Sequence, residues 1–239
     1  MAHISKSFGA VQALIDVDFQ VNHHEIVALV GDNAAGKSTL ARVIAGVHQP
    51  DSGTIWLNGE PVTLPRTAVA QSYGIATVFQ GLALAENLDV TSNIFLGREV
   101  RDHGLLAEEH METLARGYLK RLNARIPSPR TPVSQLSAGQ RQCVAIARTL
   151  VGEPQLIVLD EPTASLSVAQ TAEVLTHIQS LRSLGLGVVL ISHNLTDVRA
   201  VADRIEVLRH GRLNGSFTAP HDAYEGIIAA ITGATTTGH

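Results

Sequence analysis

The sequence predicts an α/β protein: a mostly parallel sheet covered by helices on both faces, with a helical insertion. Three observations lead there. Continuous apolar runs at 26–30, 156–159 and 188–191 read as strands buried on both sides. Helical apolar spacing follows or separates those runs, at Leu40, Val43, Ile44 and Val47 and again over 169–184. The stretch from 81 to 151 loses strand character and carries helical patterns around 107–122 and 139–151.

Taken in order, residues 15–21 alternate apolar and polar, as a half-buried strand does, and His23-His24-Glu25 reads as a turn. The run 26–30 ends in Gly31, and a loop then enters the first helix near Lys37. Pro50-Asp51-Ser52-Gly53 is a turn signal, 54–57 a short strand, and Asn58-Gly59 another turn. Residues 74–79 form a strand that stops at Gln80. Inside the insertion, prolines at 127, 129 and 132 punctuate a rigid loop. A further strand spans 205–208 before a turn at His210-Gly211, and the small polar tail after Ile231 reads as frayed. The whole is one domain, with a core lobe at 1–80 and 152–239 and a helical lobe at 81–151.

Composition narrows the function. The 239 residues carry 18 Lys plus Arg against 22 Asp plus Glu, a formal net charge of −4, so there is no basic excess of the kind that coats duplex nucleic acid. A single cysteine excludes an internal disulfide and a Cys-based zinc cage, and suits a reducing compartment. No apolar run approaches the ~20 residues of a spanning helix, and the start lacks a signal-peptide core. These features imply a cytosolic protein, free or held to a membrane by a partner.

The chemistry is concentrated at strand ends. Gly31-Asp32-Asn33-Ala34-Ala35-Gly36-Lys37-Ser38 matches G-x-x-x-x-G-K-[ST], the P-loop, with Thr39 following. Glycines let successive N–H groups turn inward on an anion, and the helix start adds its positive dipole. Lys37 would reach the β- and γ-phosphates and the Ser38 hydroxyl would ligate Mg²⁺. The strand 156–159 ends in Asp160-Glu161, two carboxylates that point opposite ways and so take different tasks. Asp160 is assigned to the Mg²⁺ shell and Glu161 to polarising the attacking water. His193, just past the strand 188–191, is a candidate γ-phosphate contact, and the neutral amide of Gln80 can ligate Mg²⁺ or a water.

The segment Leu136-Ser137-Ala138-Gly139-Gln140-Arg141-Gln142 resembles the signature motif of the ATP-binding-cassette (ABC) ATPases. The order P-loop, Gln80, signature, Asp160-Glu161, His193 resembles that family across essentially the whole chain. The resemblance implies a P-loop NTPase fold with an antiparallel β edge and ATP as substrate. It also implies that Ser137, Ala138, Gly139 and Gln140 act in trans on ATP held by a second cassette. Phe8 stands where the family stacks an aromatic on adenine. Two positions depart from the family pattern: Ala138 replaces a glycine, and Ser167 stands where an aspartate is usual.

Softer stretches, Ser5-Lys6-Ser7-Phe8-Gly9, 46–53, 93–99 and 231–234, are similar to the ATPases of bacterial simple-sugar importers of the ribose, xylose, galactose and fructose type. That similarity implies an ATPase subunit, paired as a homodimer or with another cassette, on the cytoplasmic face of the inner membrane. Its partners would be an integral permease and, through it, a periplasmic sugar-binding protein. Leu82, Leu84, Leu88, Ile94, Phe95 and Leu96 would line a groove for a permease helix. The competing readings are a soluble ABC-type ATPase, an importer of another small polar solute, and a module that holds ATP without turnover. The intact Lys37, Asp160, Glu161 and His193 argue against the last.

Overall fold

A computed structural model describes residues 1–218 and 224–234. Its centre is a six-stranded sheet in the order β12-β11-β3-β10-β9-β6. The strands are β3 (Ile26–Val30), β6 (Ile75–Val78), β9 (Leu156–Asp160), β10 (Gly187–Ile191), β11 (Arg204–Arg209) and β12 (Arg212–Thr218). Five run parallel, and β12 turns back antiparallel on β11 as an edge. A separate antiparallel sheet, β2-β1-β4-β5, is built from β1 (Ala2–Phe8), β2 (Val11–Val17), β4 (Ser52–Leu57) and β5 (Glu60–Val62). The antiparallel part is thus both an edge and a layer of its own.

The unbroken apolar run of β3 follows from burial on both faces. Ile26, Ala28 and Val30 join one core with Ile157, Leu159, Val188 and Leu190. Val27 and Leu29 join the other with Val158, Val189 and Ile191. Helix α1 (Lys37–Ile44) and the antiparallel sheet close the second core through Leu40, Val43, Ile4, Leu14 and Ile55. Helix α2 (Thr67–Ser72) adds Ala70 to it. Residues between β6 and β9 form α3 (Val90–Phe95), a β7–β8 hairpin (Arg101–Asp102, Leu105–Leu106), α4 (Glu108–Arg121) and α5 (Ala138–Leu150). With α6 (Val168–Ser183), α7 (Leu195–Val201) and α8 (Tyr224–Thr232), helices α3, α4 and α5 close the first core, while the hairpin is exposed. No helix among the described residues is long and apolar enough to cross a membrane.

Several boundaries differ from the sequence reading. The alternating strand at 15–21 is instead the end of β2, which starts earlier and stops at Val17; Asp16, at φ 54°, lies in a bulge against β1. Strands β1 and β12, helices α2, α3, α7 and α8, and the β7–β8 hairpin were not expected. The polar tail begins later than expected, since Thr232 still belongs to α8; residues 235–239 lie outside the described residues. The apolar groove also needs correction. Ile94 and Phe95 are each 1% exposed and sit in the core, so they cannot line an open groove; of that group Leu96 is the exposed one.

Candidate functional site

The C-terminal ends of the parallel strands β3, β6, β9 and β10 lie side by side, and the loops leaving them carry the candidate residues. This is the edge where open α/β sheets take ligands. The loop after β3 is tightly bound by its own glycines. A Cβ on Gly31 would fall 2.0 Å from the Leu208 carbonyl oxygen, and one on Gly36 would fall 2.5 Å from that of Ala13. Both have positive φ, 149° and 108°, so glycine is required there for space and for conformation. Ala35 is buried, and its carbonyl accepts from Gly211 N–H at 3.0 Å. Asp32, Asn33 and Ala34 form the exposed crest of the loop.

Lys37 opens α1 and is buried. Its ammonium donates to the carbonyls of Gly31 at 2.6 Å and Asp32 at 2.8 Å, so it lies across the mouth of its own loop. Burial pulls its pKa below the ordinary lysine value, and the negative charges of Glu161, Asp32 and Asp160 oppose that shift. Those carboxylates are therefore near enough for their charge to act on the lysine. Helix α1 has no side-chain cap at Gly36, which leaves its first N–H groups free for an anion. Ser38 is exposed and Thr39 half-buried at the same helix start.

On the next strand, burial and the neighbouring Glu161 push the Asp160 carboxyl above its usual range, against Arg42 and Lys37, which lower it. A half-buried carboxyl in that condition fits a cation, and Mg²⁺ is the cation the exposed Ser38 hydroxyl and the exposed Gln80 amide suit. Glu161 sits at φ 52°, an uncommon conformation for a side-chain-bearing residue, fixed by its N–H donating to Ile191 O at 2.9 Å. Its carboxylate accepts from His193 Nδ1 at 2.8 Å. The sequence reading gave His193 to phosphate; the structure also ties it to Glu161. Ser192 and Asn194 fix the backbone around it, with Asn194 N–H donating to the Ser192 hydroxyl and the Asn194 side chain capping α7.

Phe8 stands apart from this cluster, at the tip of the β1–β2 hairpin. Its ring is 45% exposed, lies edge-on to His48 at 5.1 Å and has the Lys6 ammonium 5.6 Å from its centre. Phe8 thus keeps part of its surface open. The same hairpin presents Ala13 to the P-loop.

The signature segment is organised separately. Ser137 caps α5: its hydroxyl accepts from Gln140 N–H at 3.2 Å, and the Gln140 amide oxygen accepts from Ser137 N–H at 3.0 Å. Gln140 Nε2 also donates to Arg125 O at 2.8 Å. Ala138 takes the first helical position without strain. Among the described residues no hydrogen bond joins Ser137–Gln140 to the P-loop of the same chain. Ser167, at the other unusual position, caps α6 with Gln170 in the same way.

Two supporting residues escaped the sequence reading. Asn93, fully buried, donates to the Ala85, Leu88 and Asp89 carbonyls and accepts from Ala85 N–H, which shapes the loop after Gln80. Arg148 of α5 donates to the carbonyls of Leu82 and Ala83, tying that loop to the signature helix. Neither gave a local signal: Asn93 follows the polar Thr91 and Ser92, and Arg148 is an ordinary charged position in a helix.

Comparison with known proteins follows this geometry. The family model described as "ABC transporter" matches residues 14–164. The chain is 44% identical over 210 residues to the xylose/arabinose import ATP-binding protein XylG of Sulfolobus acidocaldarius, covering 88% of this chain and 84% of that one. It is 39% identical over 232 residues to a putative ribose/galactose/methyl galactoside import ATP-binding protein of Burkholderia cenocepacia, covering 96% of this chain and 45% of that protein. The chain therefore spans under half the length of that relative. The solved ADP conformation of an ATP-binding cassette from an ABC transporter superposes with a TM-score of 0.86 at 25% identity, over 99% of this chain and 97% of that chain.

Proposed function

The chain belongs to the ABC transporter family, and from that premise we propose that it is the ATP-hydrolysing subunit of an importer that takes up a monosaccharide. The observation that carries the catalytic part is the meeting of Lys37, Asp160 and the Glu161–His193 pair at one sheet edge. The sugar rests on the two import relatives.

Lys37 leaves the carbonyls of Gly31 and Asp32 for the β- and γ-phosphates of ATP, which the uncapped N–H groups of α1 also hold. Ser38, Gln80 and Asp160 hold Mg²⁺, which when bound neutralises charge on the phosphate oxygens. Glu161 takes the proton of the attacking water. His193 keeps that carboxylate in place through Nδ1–H, so one carboxylate oxygen remains for the water. Phe8 stacks on the base. Ser137, Ala138 and Gly139 of a second copy close over the γ-phosphate, with Gln140 holding their helix tip.

The subunit works on the cytoplasmic side of the membrane, bound to a permease that receives sugar from an extracytoplasmic binding protein. The lobe 81–151 is the part that moves against the rest when ATP closes the dimer. Replacing Glu161 by Gln removes the acceptor for the water's proton. Turnover of the purified chain with Mg-ATP should then fall by ~10²–10⁴-fold while ATP binding persists. Undiminished hydrolysis would remove Glu161 from this role. In proteoliposomes with the permease that co-purifies and its binding protein, a pentose or hexose should stimulate hydrolysis; stimulation only by a non-sugar solute would overturn the sugar assignment.

A further inference from the structure

We infer that Gln170 is a positioning residue for the signature segment, linking the catalytic carboxylate of one site to the phosphate clamp of the other. This rests on the reading that Ser137 and Gly139 act on a second copy's ATP. The link begins at Glu161, whose carbonyl accepts from Ala164 N–H at 3.2 Å as the chain turns out of β9. Thr163 anchors that turn by donating to Asp197 Oδ2 at 2.8 Å, a buried bond. Six residues after Glu161, Ser167 caps α6, and the Gln170 amide oxygen folds back to accept Ser167 N–H at 3.1 Å.

That fold-back lays the Gln170 stem against the start of α5. A Cβ built on Gly139 would meet Gln170 Cβ at 3.2 Å and Cγ at 3.3 Å. Gly139 lies in the ordinary helical range, so its lack of a side chain serves this close approach and not an unusual backbone. Gln170 is thus a shelf under the signature tip, and the start of α6 that carries it is placed by the turn that leaves Glu161. A displacement of that loop shifts the shelf, and the tip that the partner's phosphate needs moves with it. This contact lies at the N-terminal end of the packed α5–α6 pair, between the two capping boxes.

Two substitutions separate the shelf from the cap. Gln170→Ala loses Cγ and the cap together, whereas Gln170→Met keeps Cβ and Cγ and loses only the acceptor for Ser167 N–H. Both are made in the full-length Glu161→Gln chain, and ATP-driven dimerisation is measured by light scattering beside ATP affinity at low protein concentration. Gln170→Ala should weaken dimerisation by about fivefold with ATP affinity of the monomer within about twofold, and Gln170→Met should dimerise within about twofold of the parent. Dimerisation by Gln170→Ala equal to the parent overturns the proposal. So does a Met variant as defective as the Ala variant, which would make the cap alone responsible. If Gln170→Ala is unfolded at the assay temperature, its dimerisation is measured beside the parent's at a lower temperature where its circular dichroism matches the parent's, with the same two outcomes. A parent that stays monomeric with ATP sinks the trans reading itself, and this proposal with it.

Discussion

Two helix starts in this molecule are built in opposite ways. Helix α1 begins at Gly36 with no side-chain cap, in a loop whose glycines are locked against the Leu208 and Ala13 carbonyls, and its lysine is buried. Helix α5 begins at Ser137 with a complete capping box, and its first residues are partly exposed. An uncapped start leaves N–H donors unsatisfied until an anion arrives. A capped start is stable by itself and can wait, partly open, for a ligand brought by another molecule. Under the proposed function, one helix tip holds phosphate and the other meets it.

The comparison breaks most sharply at Gly36. Gly36→Ala puts a methyl into the Ala13 carbonyl at a φ of 108°, and should destabilise the chain by about 3–4 kcal/mol and abolish ATP binding. Thermal unfolding with and without nucleotide measures both. Ser137→Ala removes only a cap, which costs about 1 kcal/mol. Tm should drop by a few degrees, while ATP affinity at the chain's own P-loop is unchanged. Equal losses in the two variants would erase the distinction between the helix starts.

Ala34 sharpens it further. It sits in the P-loop at φ 65°, a left-handed position that an alanine adopts at a cost. Ala34→Gly should stabilise the ligand-free chain by about 0.5 kcal/mol, the relief of strain less the extra freedom of glycine in the unfolded chain. No gain in Tm would show that the loop is not strained there.

The smallest effect lies beneath the signature. His177 of α6 is buried, and its Nδ1 bonds to the Leu122 carbonyl at the end of α4 at 2.6 Å. Burial lowers its pKa below the ordinary 6.5, so the unfolded chain binds a proton more readily than the folded one. Stability from this group is present above pH 6.5 and is lost as pH falls through the lowered value. His177→Asn keeps a donor toward Leu122 and should flatten that part of the acid decline in denaturant midpoints. An unchanged pH profile would count against the assignment.

What the sequence made legible follows the same physics. Strand β3 could be read because burial on both faces demands an unbroken apolar run. The P-loop, Asp160, Glu161 and the signature stood out as candidates because their chemistry restricts residue type and spacing. Strand β12 could not: Leu213 and Phe217 are separated by Asn214, Gly215 and Ser216, so its alternation is thin. Strand β1 is polar at Ser5, Lys6 and Ser7 and is held by pairing with β2 and β4. Ile94 and Phe95 looked like a docking surface because an apolar helix face has the same pattern whether it meets a partner or its own core. The tie between Glu161 and His193 spans two strand ends, which no local pattern records.

The account's central claim is that ATP held by one copy is completed by the Ser137–Gly139 tip of another. Its most direct test is the solution mass of the Glu161→Gln chain with Mg-ATP. The account predicts a dimer that forms with ATP, dissociates when nucleotide is removed, and is lost on Ser137→Arg. A chain that binds ATP and stays at the monomer mass would contradict it.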